Sequence, residues 1–137
     1  MNRRSLKGTL VTLATVSLFL LLTTPTWADN IRLLGTTRLS FRANDLDVIR
    51  LATCPKPAYK SIQLRVKQGS ADLKTLLVKY ANGDIDRLKV AANIRQGGKT
   101  RWIDLKGNRR CLREIAVLGK TENASARKAR IDFWGRY

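Results

Sequence analysis

Between Ser61 and Trp134, apolar side chains recur at every second position rather than at every third or fourth. A period of two sends successive side chains to opposite faces of an extended strand. Such a stretch buries its apolar face only as part of a sheet. Ile62, Leu64 and Val66 alternate with Ser61, Gln63, Arg65 and Lys67. Leu76, Val78 and Tyr80 alternate with Leu77 and Lys79, and Leu88 and Val90 with Arg87 and Lys89. Ile103 and Leu105 flank Asp104, and Ile115 and Val117 flank Ala116. Ala129, Ile131 and Phe133 alternate with Lys128, Arg130, Asp132 and Trp134. Shorter strand candidates lie at Ile31 to Gly35, Leu39 to Arg42 and Val48 to Leu51.

Turn chemistry separates most of these runs. Asn82-Gly83 stands between two alternating segments, a strong hairpin signal. Gly97-Gly98, Gly107-Asn108 and the polar stretch from Lys120 to Ser125 mark further breaks. Eight or nine short strands spaced by roughly ten residues predict an all-β fold, an antiparallel sandwich or a small barrel. One segment has two readings: Ala71 to Tyr80 also fits a helix with Leu73, Leu76, Leu77 and Tyr80 on one side. At an offset of 53, Ile62, Leu64, Leu76, Val78 and Tyr80 line up with Ile115, Val117, Ala129, Ile131 and Phe133. This describes either a sandwich of two related hairpins or the ordinary likeness of any two amphipathic hairpins.

Residues 1–28 have the order of a secretory signal peptide. Arg3, Arg4 and Lys7 form a cationic head, and Leu10 to Leu22 is an apolar run. Pro25 ends that run, and Thr26-Trp27-Ala28 supplies the small residues of a cleavage site after Ala28. The alternative is an uncleaved anchor, although the run is shorter than the ~20 residues a helical span needs. Cleavage predicts a single β domain over 29–137, periplasmic or secreted, with no transmembrane span of its own. It removes three cations and no anion, leaving 109 residues with a net charge of +14. In an oxidising compartment Cys54 and Cys111, 57 residues apart, are expected to form a disulfide.

The chain contains no His, which removes His-based triads and the commonest zinc and copper ligands. Asn82, Asp84 and Asp86 have the first spacings of a calcium loop. Arg87 then stands where that loop needs Gly, and Asn93 where it needs a bidentate Glu, so a hairpin turn is the better reading. Asp45 and Asp47 mark a turn beside Asn44 rather than an acid–base pair, and no glycine pattern cradles a phosphate. No metal, cofactor or catalytic residue is expected.

Cations are the chemistry that remains: 27 Lys and Arg against 10 Asp and Glu. The alternation turns Arg65, Lys67, Lys79, Arg87, Lys89, Lys128 and Arg130 outward. Trp134 falls on the side of Arg130 and Arg136, and Trp102 opposite Ile103 and Leu105. Arg109, Arg110 and Arg113 cluster around Cys111. Arginine grips phosphate or carboxylate bidentately, and an exposed Trp beside it stacks on a sugar or base. The anion-binding candidates are therefore Arg109, Arg110, Arg113, Arg130 and Arg136, with Trp102 and Trp134 as stacking candidates. The plainer alternative is that the cations are the solvated outer faces of strands and the two Trp cap the core.

Lys60 to Val66, Thr100-Arg101-Trp102-Ile103-Asp104-Leu105, Arg110-Cys111 and the closing Ala129 to Gly135 resemble the YaaI-like family of small exported bacterial proteins of unknown function. The likeness covers most of residues 30–135, with Trp102, Cys54 and Cys111 as its fixed points. It implies a periplasmic, disulfide-bonded β domain with no established activity, and no catalytic residue to carry over. The strong basicity is not part of that resemblance. The first expectation is a non-enzymatic protein that binds an anionic envelope polymer or lipid surface. The second is a module or inhibitor that acts on an acidic envelope protein. A basic, lysozyme-type target would be repelled. A hydrolase is the least supported reading, for want of any recognisable nucleophile.

Overall fold

The structure is a computed structural model that describes residues 30–43, 45–51, 54 and 58–137. The proposed leader and its cleavage site at Ala28 lie outside the described residues. The strands are β1 (Ile31–Arg38), β2 (Asp45–Arg50), β3 (Ser61–Gln68), β4 (Ala71–Tyr80), β5 (Ile85–Ile94), β6 (Ile103–Asp104), β7 (Leu112–Thr121) and β8 (Arg130–Arg136). They form two antiparallel four-stranded sheets that pack face to face, in the orders β1-β8-β3-β6 and β2-β7-β4-β5. The alternation is directly visible in the burial. Ile62, Leu64 and Val66 of one sheet meet Leu76, Val78, Ile115 and Val117 of the other, with Ile131 and Phe133 beside them, all fully buried. Each such side chain removed from water contributes about 1.5–3 kcal/mol.

Two open alternatives are decided here and one strand candidate is lost. The fold is a sandwich rather than a barrel. Leu39 to Arg42 is not a strand, because the chain leaves the first sheet there. Leu39 is buried, donates its N–H to the Ala129 carbonyl and accepts from the Thr121 hydroxyl. Ala71 to Tyr80 is a strand, and its helix-like spacing comes from a bulge. Against β7 the register shifts between Leu73 and Thr75, so Lys74 is an extra, exposed residue. Ala71 and Leu73 point inward before it, and Leu76, Val78 and Tyr80 after it. One inserted residue thus turns a spacing of two into a spacing of three.

The two repeat units are not hairpins within a sheet. β3 and β4 lie in different sheets, as do β7 and β8. Each unit crosses the sandwich, and the two interlock because β3 pairs with β8 and β4 with β7. The true hairpin is the one marked by Asn82-Gly83. Gly83 has a φ of 91°, where a side chain is disfavoured, and its N–H closes the turn on the Tyr80 carbonyl at 3.0 Å. Arg101 ties the sheets at one side, donating to the Val90 and Lys89 carbonyls of β5 at 3.1 and 2.9 Å.

Opposite the β4 bulge, Ala91 has a φ of 45°, in the left-handed region that alanine disfavours by roughly 1–2 kcal/mol. Glycine relieves that strain and adds back about 0.4–1 kcal/mol of unfolded-chain entropy. Ala91→Gly should therefore stabilise the domain by up to about 1 kcal/mol, read as a raised midpoint in urea.

Asp45 and Asp47 lie in strand β2 and not in a turn, and Asp47 carries a buried carboxylate oxygen, Oδ2, that has no hydrogen-bond partner. Burial pushes its pKa up, Asp45 adds to this, and Lys128 opposes it. A carboxyl raised in the folded state favours folding only while it is protonated. The penalty is absent below the unfolded value, appears as pH rises towards the raised folded value, and is complete above it. Asp47→Asn is expected to raise the melting temperature at pH 7 and leave it nearly unchanged at pH 3.

Candidate functional site

The outward side of the β1-β8-β3-β6 sheet is built by register. Arg130, Asp132, Trp134 and Arg136 of β8 stand beside Gln68, Arg65, Gln63 and Ser61 of β3. On the other flank they stand beside Arg38, Thr36, Leu33 and Ile31 of β1. Trp102 reaches this face from the segment that follows the Arg65–Lys99 bridge.

Two indole rings are half-buried here, each under an arginine. The Arg65 guanidinium lies 4.5 Å from the Trp134 ring centroid, and that of Arg136 lies 4.7 Å from Trp102. Both guanidiniums are held from behind by Nε. Arg65 donates to Gln63 Oε1 at 3.0 Å, and Arg136 to Ser61 Oγ at 3.2 Å. Gln63 is itself fixed, donating to the Thr100 carbonyl at 3.0 Å. A guanidinium fixed through Nε keeps its two-nitrogen edge as the part that can take an oxyanion bidentately. Trp134 and Arg136 are two residues apart on β8, so both side chains leave the same side of the sheet.

Asp132 is the buried anion of this face. It accepts from the Thr36 hydroxyl at 2.9 Å and lies 3.6 Å from Arg130 Nε. Arg130 is therefore partly engaged, while Lys67, Lys99 and Arg38 are exposed around the stacks. The Trp134 indole N–H is buried without a hydrogen-bond partner.

Of the arginines near Cys111, Arg110 is engaged by its own contacts. Cys54 and Cys111 are disulfide-bonded, with Cα atoms 5.3 Å apart. Arg110 lies 3.8 Å from the Tyr80 ring centroid. It donates to the Lys106 carbonyl at 3.1 Å and reaches Asn82 Oδ1 and Asp84 Oδ2 at 3.4 and 3.5 Å. It is a strut between the loop before β7 and the β4–β5 turn. Arg109 and Arg113 are exposed. Arg110→Ala is expected to destabilise the domain by about 1 kcal/mol, through lost stacking and hydrogen bonds, and to leave polyanion retention unchanged.

The turn that resembles the start of a calcium loop is occupied by its own contacts. Asn82 accepts from the Asp84 backbone N–H at 3.0 Å and donates to Asp84 Oδ2 at 2.8 Å. Asp86 accepts the Tyr80 hydroxyl at 2.8 Å. Burial, with that hydrogen bond, raises the Tyr80 phenol well above the usual tyrosine range, so it stays protonated. Among the described residues no group of three or more acidic, Cys or His side chains is placed to hold a metal ion.

Arg65 and Gln63 belong to the site although neither stands out in the sequence. The only sign of Arg65 is its outward position in the alternation. Its partnership with Trp134 exists because β3 and β8 pair with Gln63 opposite Trp134.

The family described as "Domain of unknown function (DUF2541)" matches residues 12–135, and the chain belongs to that family. Over 66 residues the chain is 39% identical to "Pollen allergen Phl p 1" of Phleum pratense, a stretch that covers 47% of this chain and 24% of that protein. The chain thus spans about a quarter of the length of the curated relative it matches. No solved structure matches it.

Proposed function

We propose that this member of the DUF2541 family is a non-enzymatic exported protein that binds an anionic cell-envelope component. The ligand class is a phosphorylated glycolipid, an acidic glycan or a lipid head group. Its seat is the Lys/Arg/Trp face of the β1-β8-β3-β6 sheet. Export would follow cleavage near Ala28 and deliver the domain to the periplasm or the medium, the finer reading that the YaaI-like resemblance also implies. The disulfide agrees with an oxidising compartment.

One observation carries this reading: two Trp rings, each under an arginine anchored through Nε, with Arg65, Trp134 and Arg136 on the outward side of paired strands β3 and β8. A sugar or ring stacks on such a surface while the guanidinium edges take phosphate or carboxylate. Of the five arginines singled out in the sequence, Arg130 and Arg136 belong to this face. Arg109 and Arg113 contribute general positive potential, and Arg65 joins the site.

The test is retention on heparin against a salt gradient. The full chain should elute well above physiological ionic strength. Arg65→Glu with Arg136→Glu should lower the log–log salt slope by about two, since each neutralised anion contributes nearly one. Arg109→Glu with Arg113→Glu should shift elution less. Trp102→Ala, which keeps the charge, should weaken binding about fivefold or more. Equal losses from the two arginine pairs would mean diffuse attraction rather than a site.

A further inference from the structure

The outward side of the other sheet has a different character. The exposed side of an antiparallel sheet is ordinarily polar. Here Leu46 and Val48 of β2 are 47% and 43% exposed, and Ile85 of β5 is 65% exposed. Register joins them through the centre of the sheet. Leu46 pairs with Leu118, and Val48 with Ala116, which pairs in turn with Leu77 of β4. The apolar patch therefore runs across β2, β7 and β4, and a shallow hollow of about 240 Å³ lies between Val48, Leu77 and Ile85.

Cations border this patch. Leu77 is opposite Arg87, Thr75 opposite Lys89, and Ile85 opposite Lys79. All three cations are exposed. Of the nearby acids, Glu114 is already paired with Arg50 at 3.2 Å. Leucine and valine at the centre with lysine and arginine at the border match an anionic bilayer, where apolar side chains enter the head-group layer and cations meet the phosphates. A second copy of the chain would set the same cations against each other, in a protein with 27 basic and 10 acidic residues.

We infer that the outer face of the β2-β7-β4-β5 sheet docks the domain onto an anionic lipid bilayer, with Leu46, Val48 and Ile85 inserted and Lys79, Arg87 and Lys89 on the head groups. Docking by this sheet leaves the Trp/Arg face of the opposite sheet turned away from the bilayer. The inference does not depend on what that other face binds.

The experiment is co-sedimentation of the full-chain product, as cells yield it, with phosphatidylcholine vesicles doped to roughly a third with phosphatidylglycerol. Partitioning should fall about tenfold or more on pure phosphatidylcholine, and again for Arg87→Glu with Lys89→Glu. Leu46→Ser, Val48→Ser and Ile85→Ser together should do the same while the thermal melt stays cooperative, because all three side chains are exposed. Arg65→Glu with Arg136→Glu should keep most of the partitioning while the heparin salt slope falls by about two, so each face can fail without the other. Unchanged partitioning in the serine variant overturns the inference. So does indifference to lipid charge, a dimer in sedimentation that the serine variant abolishes, or binding to poly-glutamate beads with none to vesicles.

Discussion

Replacing Cys54 and Cys111 together by alanine should lower the stability of the domain by about 4 kcal/mol. The bridge closes a 57-residue separation, and the chain-entropy account of cross-links assigns that much to a loop of this size. A domain this small has a total stability of about 5–15 kcal/mol, so the variant should stand near the edge of folding at 37 °C. The location adds to the effect. Cys111 directly precedes β7, a central strand, and its carbonyl accepts the Ala81 N–H at 2.9 Å. Urea melts of the double variant and the parent should give nearly equal slopes and a much lower midpoint. An unmoved midpoint would show that sandwich packing alone holds this end of the molecule.

Gly119→Val is expected to cost about 3 kcal/mol or more, by overpacking against backbone that has nowhere to go. A Cβ at position 119 would lie 2.6 Å from the Asp72 carbonyl oxygen and 3.3 Å from the Leu73 Cα. Those atoms sit at the start of the β4 bulge, so relief would mean parting the two central strands of the sheet. Even Gly119→Ala should show most of the loss. Gly83→Ala is the contrast, since its space is open and only the positive φ is unfavourable. It should cost about 1 kcal/mol. Comparable losses at the two positions would mean that β4 and β7 can separate without penalty.

The apolar outer face of the β2-β7-β4-β5 sheet left a trace in the sequence that a strict period of two passes over. Leu76-Leu77-Val78 and Ile115 to Leu118 are apolar at consecutive positions, so both faces of β4 and β7 are apolar there. Alternation selects the buried half of each run and leaves Leu77 and Leu118 without a role. Pairing with Leu46 and Val48 turns those leftovers into one surface. The Arg110 strut left less. Its ring partner is 30 positions away, and proximity to Cys111 suggested a free arginine cluster instead.

The all-β class, the Asn82-Gly83 hairpin, the inward and outward side of most strands and the Cys54–Cys111 pair follow from the sequence by itself. Each rests on a local rule, either a period of two, a turn dipeptide, or the presence of two cysteines. Only the tertiary structure decided which strands share a sheet, where one residue bulges out of β4, and which aromatic ring each arginine covers. Those outcomes depend on register between strands far apart in the chain, where a shift of one residue turns every side chain to the other face. The candidate site shows this directly. Trp102, Trp134 and Arg136 are recognisable as residue types, but only the pairing of β3 with β8 places Arg65 over Trp134 beside them.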